Sequence, residues 1–246
     1  MNFTGKTAIA TGAASGMAFR FLQKMAEAGA NVVLTDVNAE AVEQAAETIR
    51  QSGGNAIGVK VDIRHYAEIE NAVTLAVKHF GAVDYLLNSA GGNSRRVWQQ
   101  PNFADASIES IEWGIDVNLK GAVLFTRAVL RMMCDRRSGV IVNMGSIDGV
   151  TGGAGIDYTA AKSGMIGLSK GTAVFGAPYN VRSVCVSPGP VMTRAAMANM
   201  KTLLGRAAEV DEVVDLLMYL CSDKGAFITG CNYLIDGGRS CAGSVL

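Results

Sequence analysis

Tyr158 and Lys162 stand four residues apart in Tyr158-Thr159-Ala160-Ala161-Lys162, so on a helix they share a face with one turn between them. An ammonium so placed stabilises a phenolate and lowers a phenol pKa that starts near about 10. The pair can deliver a proton to, or take one from, an oxygen whose carbon gains or loses a hydride. By itself the spacing is weak, because such pairs arise on helices by chance and are then solvated. Two further residues sharpen it. Ser146 closes the run Asn143-Met144-Gly145-Ser146 with a hydroxyl able to hydrogen-bond a substrate oxygen, the bland alternative being a turn or cap serine. Asn118, in Val117-Asn118-Leu119-Lys120-Gly121, is a polar, mediocre helix former inside an apolar helical run, which asks for a hydrogen-bonding role.

Proton transfer of this kind needs a hydride carrier, and the N-terminal segment offers a place for one. A β-rich run leads into Thr11-Gly12-Ala13-Ala14-Ser15-Gly16-Met17-Ala18 and then a helix. Glycines permit the tight turn and the close approach of backbone to a pyrophosphate, and a helix N-terminus supplies free N–H groups with partial positive charge. The following strand ends in Asp36, placed to accept hydrogen bonds from adenosine ribose hydroxyls. A 2′-phosphate there would be repelled: like unit charges 4 Å apart cost about 4 kcal/mol at an effective dielectric near 20. Neither Val37 nor Ser15 brings a guanidinium to hold such a phosphate, so NAD(H) is expected rather than NADP(H). The competing reading makes Asp36 a cap for the helix that starts near Ala39.

The elements that must position these groups alternate along the chain. Strands are predicted over residues 6–10, 31–36, 56–61, 83–88, 140–144, 181–186 and 232–235, with helices at about 16–28, 39–52, 66–80, 108–135, 158–175 and 210–222. That pattern predicts a single doubly wound α/β domain spanning residues 1–246, a parallel sheet of about seven strands with helices on both faces. Lysine plus arginine (22) equals aspartate plus glutamate (22), which argues against nucleic acid or an anionic membrane as partner and for a small molecule. The 49% apolar content is broken into short runs, the first residues resemble no leader peptide, and the five cysteines form no C-x-x-C, so a cytoplasmic protein with reduced thiols is expected. His65 and His79 lack neighbours at ligand spacing, so no catalytic metal is expected. Residues 117–133 and 158–168 are apolar or small in nearly every direction, which predicts that a second subunit covers them, in a dimer or tetramer.

Taken together, Thr11-Gly12-x-x-x-Gly16, Asn88-Ser89-Ala90-Gly91, Ser146 and Tyr158-x-x-x-Lys162 resemble the short-chain dehydrogenase/reductase family over essentially the whole chain. The sequence departs from the family pattern at Ala18, where the last glycine of the loop is usual, and at Ser89, where a second asparagine is usual. The resemblance implies a Rossmann fold and assigns roles. Gly12, Ser15, Gly16 and Met17 would surround the phosphates, Asp36 the ribose, and Asp62 with Ile63 the adenine, followed by Asn88, Ala90 and Gly91. Pro188, Gly189, Val191 and Thr193 would line the nicotinamide, the Val191 backbone and Thr193 hydroxyl holding its carboxamide. Ser146 would orient the substrate oxygen, Tyr158 would be the acid and base, Lys162 would also grip the nicotinamide ribose, and Asn118 would hold a water linking Lys162 to solvent.

Substrate identity is expected to reside in residues 92–103, 147–155 and the stretch after Thr193. Trp98 and Phe103 are candidates for an apolar wall, Arg95 and Arg96 for an anion contact, and Asp148 for either a pocket residue or a turn cap. The segment after Thr193 is short, with Met192, Met197 and Met200 as an adaptable face, and residues 239–246 are a candidate cover for a neighbouring subunit's pocket. The expected activity is secondary alcohol/ketone interconversion, the alternatives being an NADP(H)-dependent 3-oxoacyl thioester reductase and an idle NAD(H)-sensing protein.

Overall fold

The computed structural model describes residues 1–99, 102–153 and 155–242. Strands β1 (Thr7–Thr11), β2 (Asn31–Asp36), β3 (Asn55–Lys60), β4 (Tyr85–Asn88), β5 (Gly139–Met144), β6 (Val181–Pro188) and β7 (Asn232–Ile235) form one sheet in the order β3-β2-β1-β4-β5-β6-β7, parallel throughout. Parallel neighbours need crossover connections, and these carry the helices. Helices α1 (Gly16–Glu27), α2 (Ala39–Gln51) and α9 (Val210–Cys221) pack on one face; α3 (Tyr66–Phe80), α6 (Gly121–Asp135) and α8 (Ile156–Gly176) cover the other.

Strand alternation divides the core accordingly. Ala8 and Ala10 of β1, with Val32 and Leu34 of β2, join Phe21, Leu22, Met25 and Ile49 on the first face. Ile9 and Val33 point the other way, to Ile69, Phe125, Val129 and Met133. Burying each of the larger of these side chains contributes about 1.5–3 kcal/mol, so both faces are required for stability.

The helix expected over 108–135 is not continuous. It comprises α5 (Ile108–Ile115), a π-helical turn at Asp116–Lys120 and α6. The reason is Asn118: its side-chain amide donates to the Gly114 carbonyl at 2.8 Å and to the Gly92 carbonyl at 2.7 Å, competing with the backbone for the bonds of a regular turn. Two short helices absent from the sequence reading, α4 (Ser94–Val97) and α7 (Asp148–Thr151), follow β4 and β5. Among the described residues, no helix is long and apolar enough to cross a membrane.

Candidate active site

Because β1 lies between β2 and β4, the connections that follow β1 and β4 run in opposite directions and a crevice opens between their carboxyl ends. The crevice is built by glycine. Gly12 has φ +65°, and a Cβ on it would lie 2.9 Å from Ala90 Cα, so both conformation and space exclude a side chain. The Thr11 hydroxyl accepts from the Ser89 and Ala90 amides, each at 2.9 Å, tying the ends of β1 and β4 together. Ser15 occupies the N-cap of α1 with its side chain accepting from no helix amide, which leaves that helix end suited to an anion.

Asp36 closes β2 with Oδ2 accepting from the Ala14 amide at 3.2 Å and Oδ1 from the Asn38 amide at 3.0 Å. The reading of Asp36 as the cap of α2 is corrected: Asn38 is the N-cap, its Oδ1 accepting from the Ala41 amide at 3.0 Å. Gly12, Asp36, Asp62, Ile63, Ala90, Gly91 and Trp113 border a cavity of about 240 Å³, which fits the adenosine half of a dinucleotide. Arg64 also borders it, but its guanidinium grips the Asp62 carboxylate at 2.6 and 2.9 Å and holds that carboxyl down at about 2. Asn88 is placed differently from the other loop residues. Its buried side chain turns inward, Nδ2 donating to Asn143 Oδ1 at 2.8 Å and Thr126 Oγ1 at 3.2 Å, so it braces β4 against β5 and α6 beneath the crevice.

A second cavity of about 400 Å³ adjoins the first through Gly91 and is bordered by Ser146, Asp148, Tyr158, Lys162, Met17, Gly189 and Thr193. Tyr158 lies near the start of α8 and Lys162 one turn on, its Nζ 5.7 Å from the centre of the phenol ring. Lys162 is 4% exposed, its Nζ donates to the Met144 carbonyl at 2.8 Å, and burial pulls its pKa down to about 8. The charged form is therefore costly until an anion forms beside it. Asn118 Oδ1 accepts from the Gly92 amide at 3.0 Å. A Cβ on Gly91 would sit 2.6 Å from that oxygen and 3.3 Å from Lys162 Nζ, so the asparagine and the lysine converge on one glycine. Ser146 Oγ accepts from the Asp148 amide at 3.1 Å, and burial pushes the Asp148 carboxyl above its ordinary value.

The segment after β6 forms the opposite wall. Gly189 is held against β7, where a Cβ would lie 2.8 Å from Asp236 Cα, and the Pro188 carbonyl accepts from the Ile147 amide at 2.9 Å. Val191 is buried, and its carbonyl accepts from the Thr193 amide at 2.6 Å. Met197 and Met200 face the cleft while Met192 is not among its walls.

Several residues escaped the sequence reading. Arg194 and Asn93 border the second cavity, and Trp113 the first; the position of Arg194 next to Thr193 was the available signal. Asp157 is a buried carboxylate bonded by the Ser94 hydroxyl, easily mistaken in sequence for an ordinary first-turn acid. Conversely, Trp98 is exposed and neither it nor Phe103 borders the cleft, and Arg95 is exposed beside Gly155. The Arg96 side chain and residues 100, 101, 154 and 243–246 lie outside the described residues.

Residues 12–240 match the family model described as enoyl-(acyl carrier protein) reductase. The chain is 35% identical to the trans-4-hydroxycyclohexanecarboxylate dehydrogenase of Sinomonas cyclohexanicum, over 96% of this chain and 93% of that protein. It is 34% identical to the cyclopentanol dehydrogenase of Comamonas sp., over 95% and 96% of the two chains. The crystal structure of a 3-oxoacyl-[acyl-carrier protein] reductase with bound NAD from Brucella melitensis matches with a TM-score of 0.89 and 27% identity, covering 96% of this chain and 92% of that one. With the glycine crevice and the tyrosine–lysine cleft already adjoining in space, these matches identify the chain as a member of the short-chain dehydrogenase/reductase family, an oxidoreductase acting on CH–OH groups.

Proposed function

We propose that the protein interconverts a secondary alcohol and a ketone with NAD(H), Tyr158 acting as acid in reduction and base in oxidation. The observation that carries this reading is the convergence of Ser146, Tyr158 and Lys162 on a cleft that shares Gly91 with the glycine crevice, with Asn118 bonded at its edge. Gly12, Ser15, Gly16 and Met17 would hold the pyrophosphate, Asp36 the ribose, Asp62 and Ile63 the adenine, Ala90 and Gly91 the middle of the dinucleotide, and Pro188, Gly189, Val191 and Thr193 the nicotinamide. Bound there, the nicotinamide supplies hydride in reduction and receives it in oxidation.

Ser146 and Tyr158 bind the substrate oxygen, and Tyr158 passes its proton to that oxygen as negative charge develops. Lys162, easily deprotonated in its buried site, becomes a firm ammonium once tyrosinate forms, and so favours proton release from the phenol. Asn118 orients the relay that returns a proton from solvent. The two relatives named above are named for ring alcohols, which supports an alcohol substrate with an apolar body.

Asp36 supports NAD(H) over NADP(H), and the engagement of Arg64 by Asp62 ties up the guanidinium that borders this cavity. Self-association is supported by a groove of about 620 Å³ between α6 and α8, lined by Val123, Leu130, Leu168 and Phe175, with Val174 exposed beside it. Phe227 is wholly exposed and Leu234 is exposed on edge strand β7, which adds apolar surface away from that groove, so a dimer extending to a tetramer is the proposed assembly. The buried thiols of Cys134, Cys185 and Cys221 suit a reducing cytoplasm.

The test is Tyr158→Phe. The variant is expected to bind NADH with wild-type Kd while turnover of secondary alcohols falls by about 10²–10⁴-fold. Undiminished turnover would remove Tyr158 from the mechanism, and tighter binding of NADPH than NADH by the wild type would overturn the assignment of Asp36.

A further inference from the structure

On the far side of Ile147 and Met200, which border both spaces, lies a third chamber of about 650 Å³ whose walls include Lys201, Arg239, Ser240, Asn199 and Thr151. Building on the function proposed above, we propose that this chamber is a carboxylate subsite, and that the substrate is an alcohol bearing a carboxylate remote from its carbinol carbon, gripped by Arg239 and Lys201.

Three observations carry this. Among the described residues the walls of the chamber carry two cationic side chains and no acidic one, and no salt bridge joins Arg239 or Lys201 to a carboxylate. Neither is held in a contact ion pair, and Arg239 reaches Asp148 only through space, where it offsets part of the rise that burial gives that carboxyl, so an anion can still be gripped directly. Arg239 is also held in place. The Asp236 carboxylate accepts from the Gly238 amide at 2.9 Å and the Ser240 amide at 2.8 Å, fixing the turn that presents Arg239, and the guanidinium is anchored on the Lys201 carbonyl. A guanidinium fixed in this way suits a site that is organised before ligand arrives.

The polarity of the cleft gives the direction. Asp148, half-buried next to Ser146, disfavours a negative group beside that serine, while Arg239, whose charge already reaches Asp148, draws one together with Lys201 to the other side of Ile147. Ile147 and Met200 border both spaces and Met197 borders the cleft, so the side chains where the two adjoin are apolar. A 2-hydroxy acid would place its charge against Asp148; a ring or chain that separates alcohol from acid would satisfy both ends.

The experiment compares kcat/KM with NAD⁺ for 4-hydroxycyclohexanecarboxylate, its neutral methyl ester and a 2-hydroxy acid, at low and high salt. Wild type is expected to prefer the acid over the ester by at least about tenfold, to lose part of that preference at high salt, and to use the 2-hydroxy acid least. Arg239→Met should raise KM for the acid by about tenfold or more while leaving the ester and the NADH Kd unchanged, with Arg239→Lys restoring part of the effect. Lys201→Met, which keeps the backbone carbonyl that anchors Arg239, should act the same way to a smaller extent. Equal use of acid and ester by wild type, or equal loss of both in Arg239→Met, would overturn the subsite alone. Failure of wild type to turn over the ester as well as the acid, with NADH still bound, would overturn the alcohol dehydrogenase reading beneath it.

Discussion

Replacing Lys162 by methionine should abolish turnover and yet stabilise the fold at neutral pH. The wild-type ammonium is buried, and its pKa stands at about 8 against an ordinary 10.5. At about 1.4 kcal/mol per tenfold change in proton affinity, keeping the charge at pH 7 costs the native state about 3 kcal/mol. Methionine removes that cost but loses the 2.8 Å bond to the Met144 carbonyl, a loss of about 1–2 kcal/mol. The net gain at pH 7 is then about 1–2 kcal/mol, or roughly 2–6 °C in Tm for a chain of this length. The pH dependence has a definite sign. Between about pH 8 and 10.5 the unfolded chain retains a proton that the native chain has released, so this group makes the wild type more stable as pH rises through that window. All other titrations are common to both proteins, so the advantage of the variant should shrink from pH 8 upward and reverse near pH 10. Denaturant melts of the cofactor-free proteins at pH 7, 8, 9 and 10 measure this directly. A variant less stable than wild type at pH 7, or a stability gap that stays constant across the series, would refute the argument.

Gly91→Ala places a methyl 2.6 Å from Asn118 Oδ1 and 3.3 Å from Lys162 Nζ, so it should cut kcat by about tenfold or more while the protein stays folded; single-turnover kinetics and circular dichroism check the two halves of that statement. Phe175→Asp puts a charge in the groove between α6 and α8 and should shift sedimentation toward the monomer, with an unchanged sedimentation coefficient counting against self-association through that face.

The doubly wound parallel sheet could be anticipated because apolar runs alternating with amphipathic segments leave a parallel sheet with crossovers as the economical arrangement. The crevice was legible for a similar reason: Gly12 and Gly16 both adopt positive φ, a backbone requirement written directly as residue type. The phenol and ammonium were legible because four residues is one helical turn, and α8 spans both. These features are local, and local geometry depends on the identity of a few neighbours.

What tertiary structure decided are the partners of polar groups, because desolvation and hydrogen bonding are set by whatever packs nearby in space. Asn88 belongs to a loop motif, yet its amide is spent on Asn143 and Thr126, dozens of residues away. The helix before α6 breaks into a π turn because Asn118 finds the Gly92 carbonyl, 26 residues upstream. Lys162 reads as an ordinary cation until the walls around it exclude water and pull its pKa down. Arg239 and Lys201, 38 positions apart, become neighbours only when the turn after β7 folds back over the segment that follows β6. A linear chain states which charges it has; only the folded one states which of them are buried, paired or left facing a cavity.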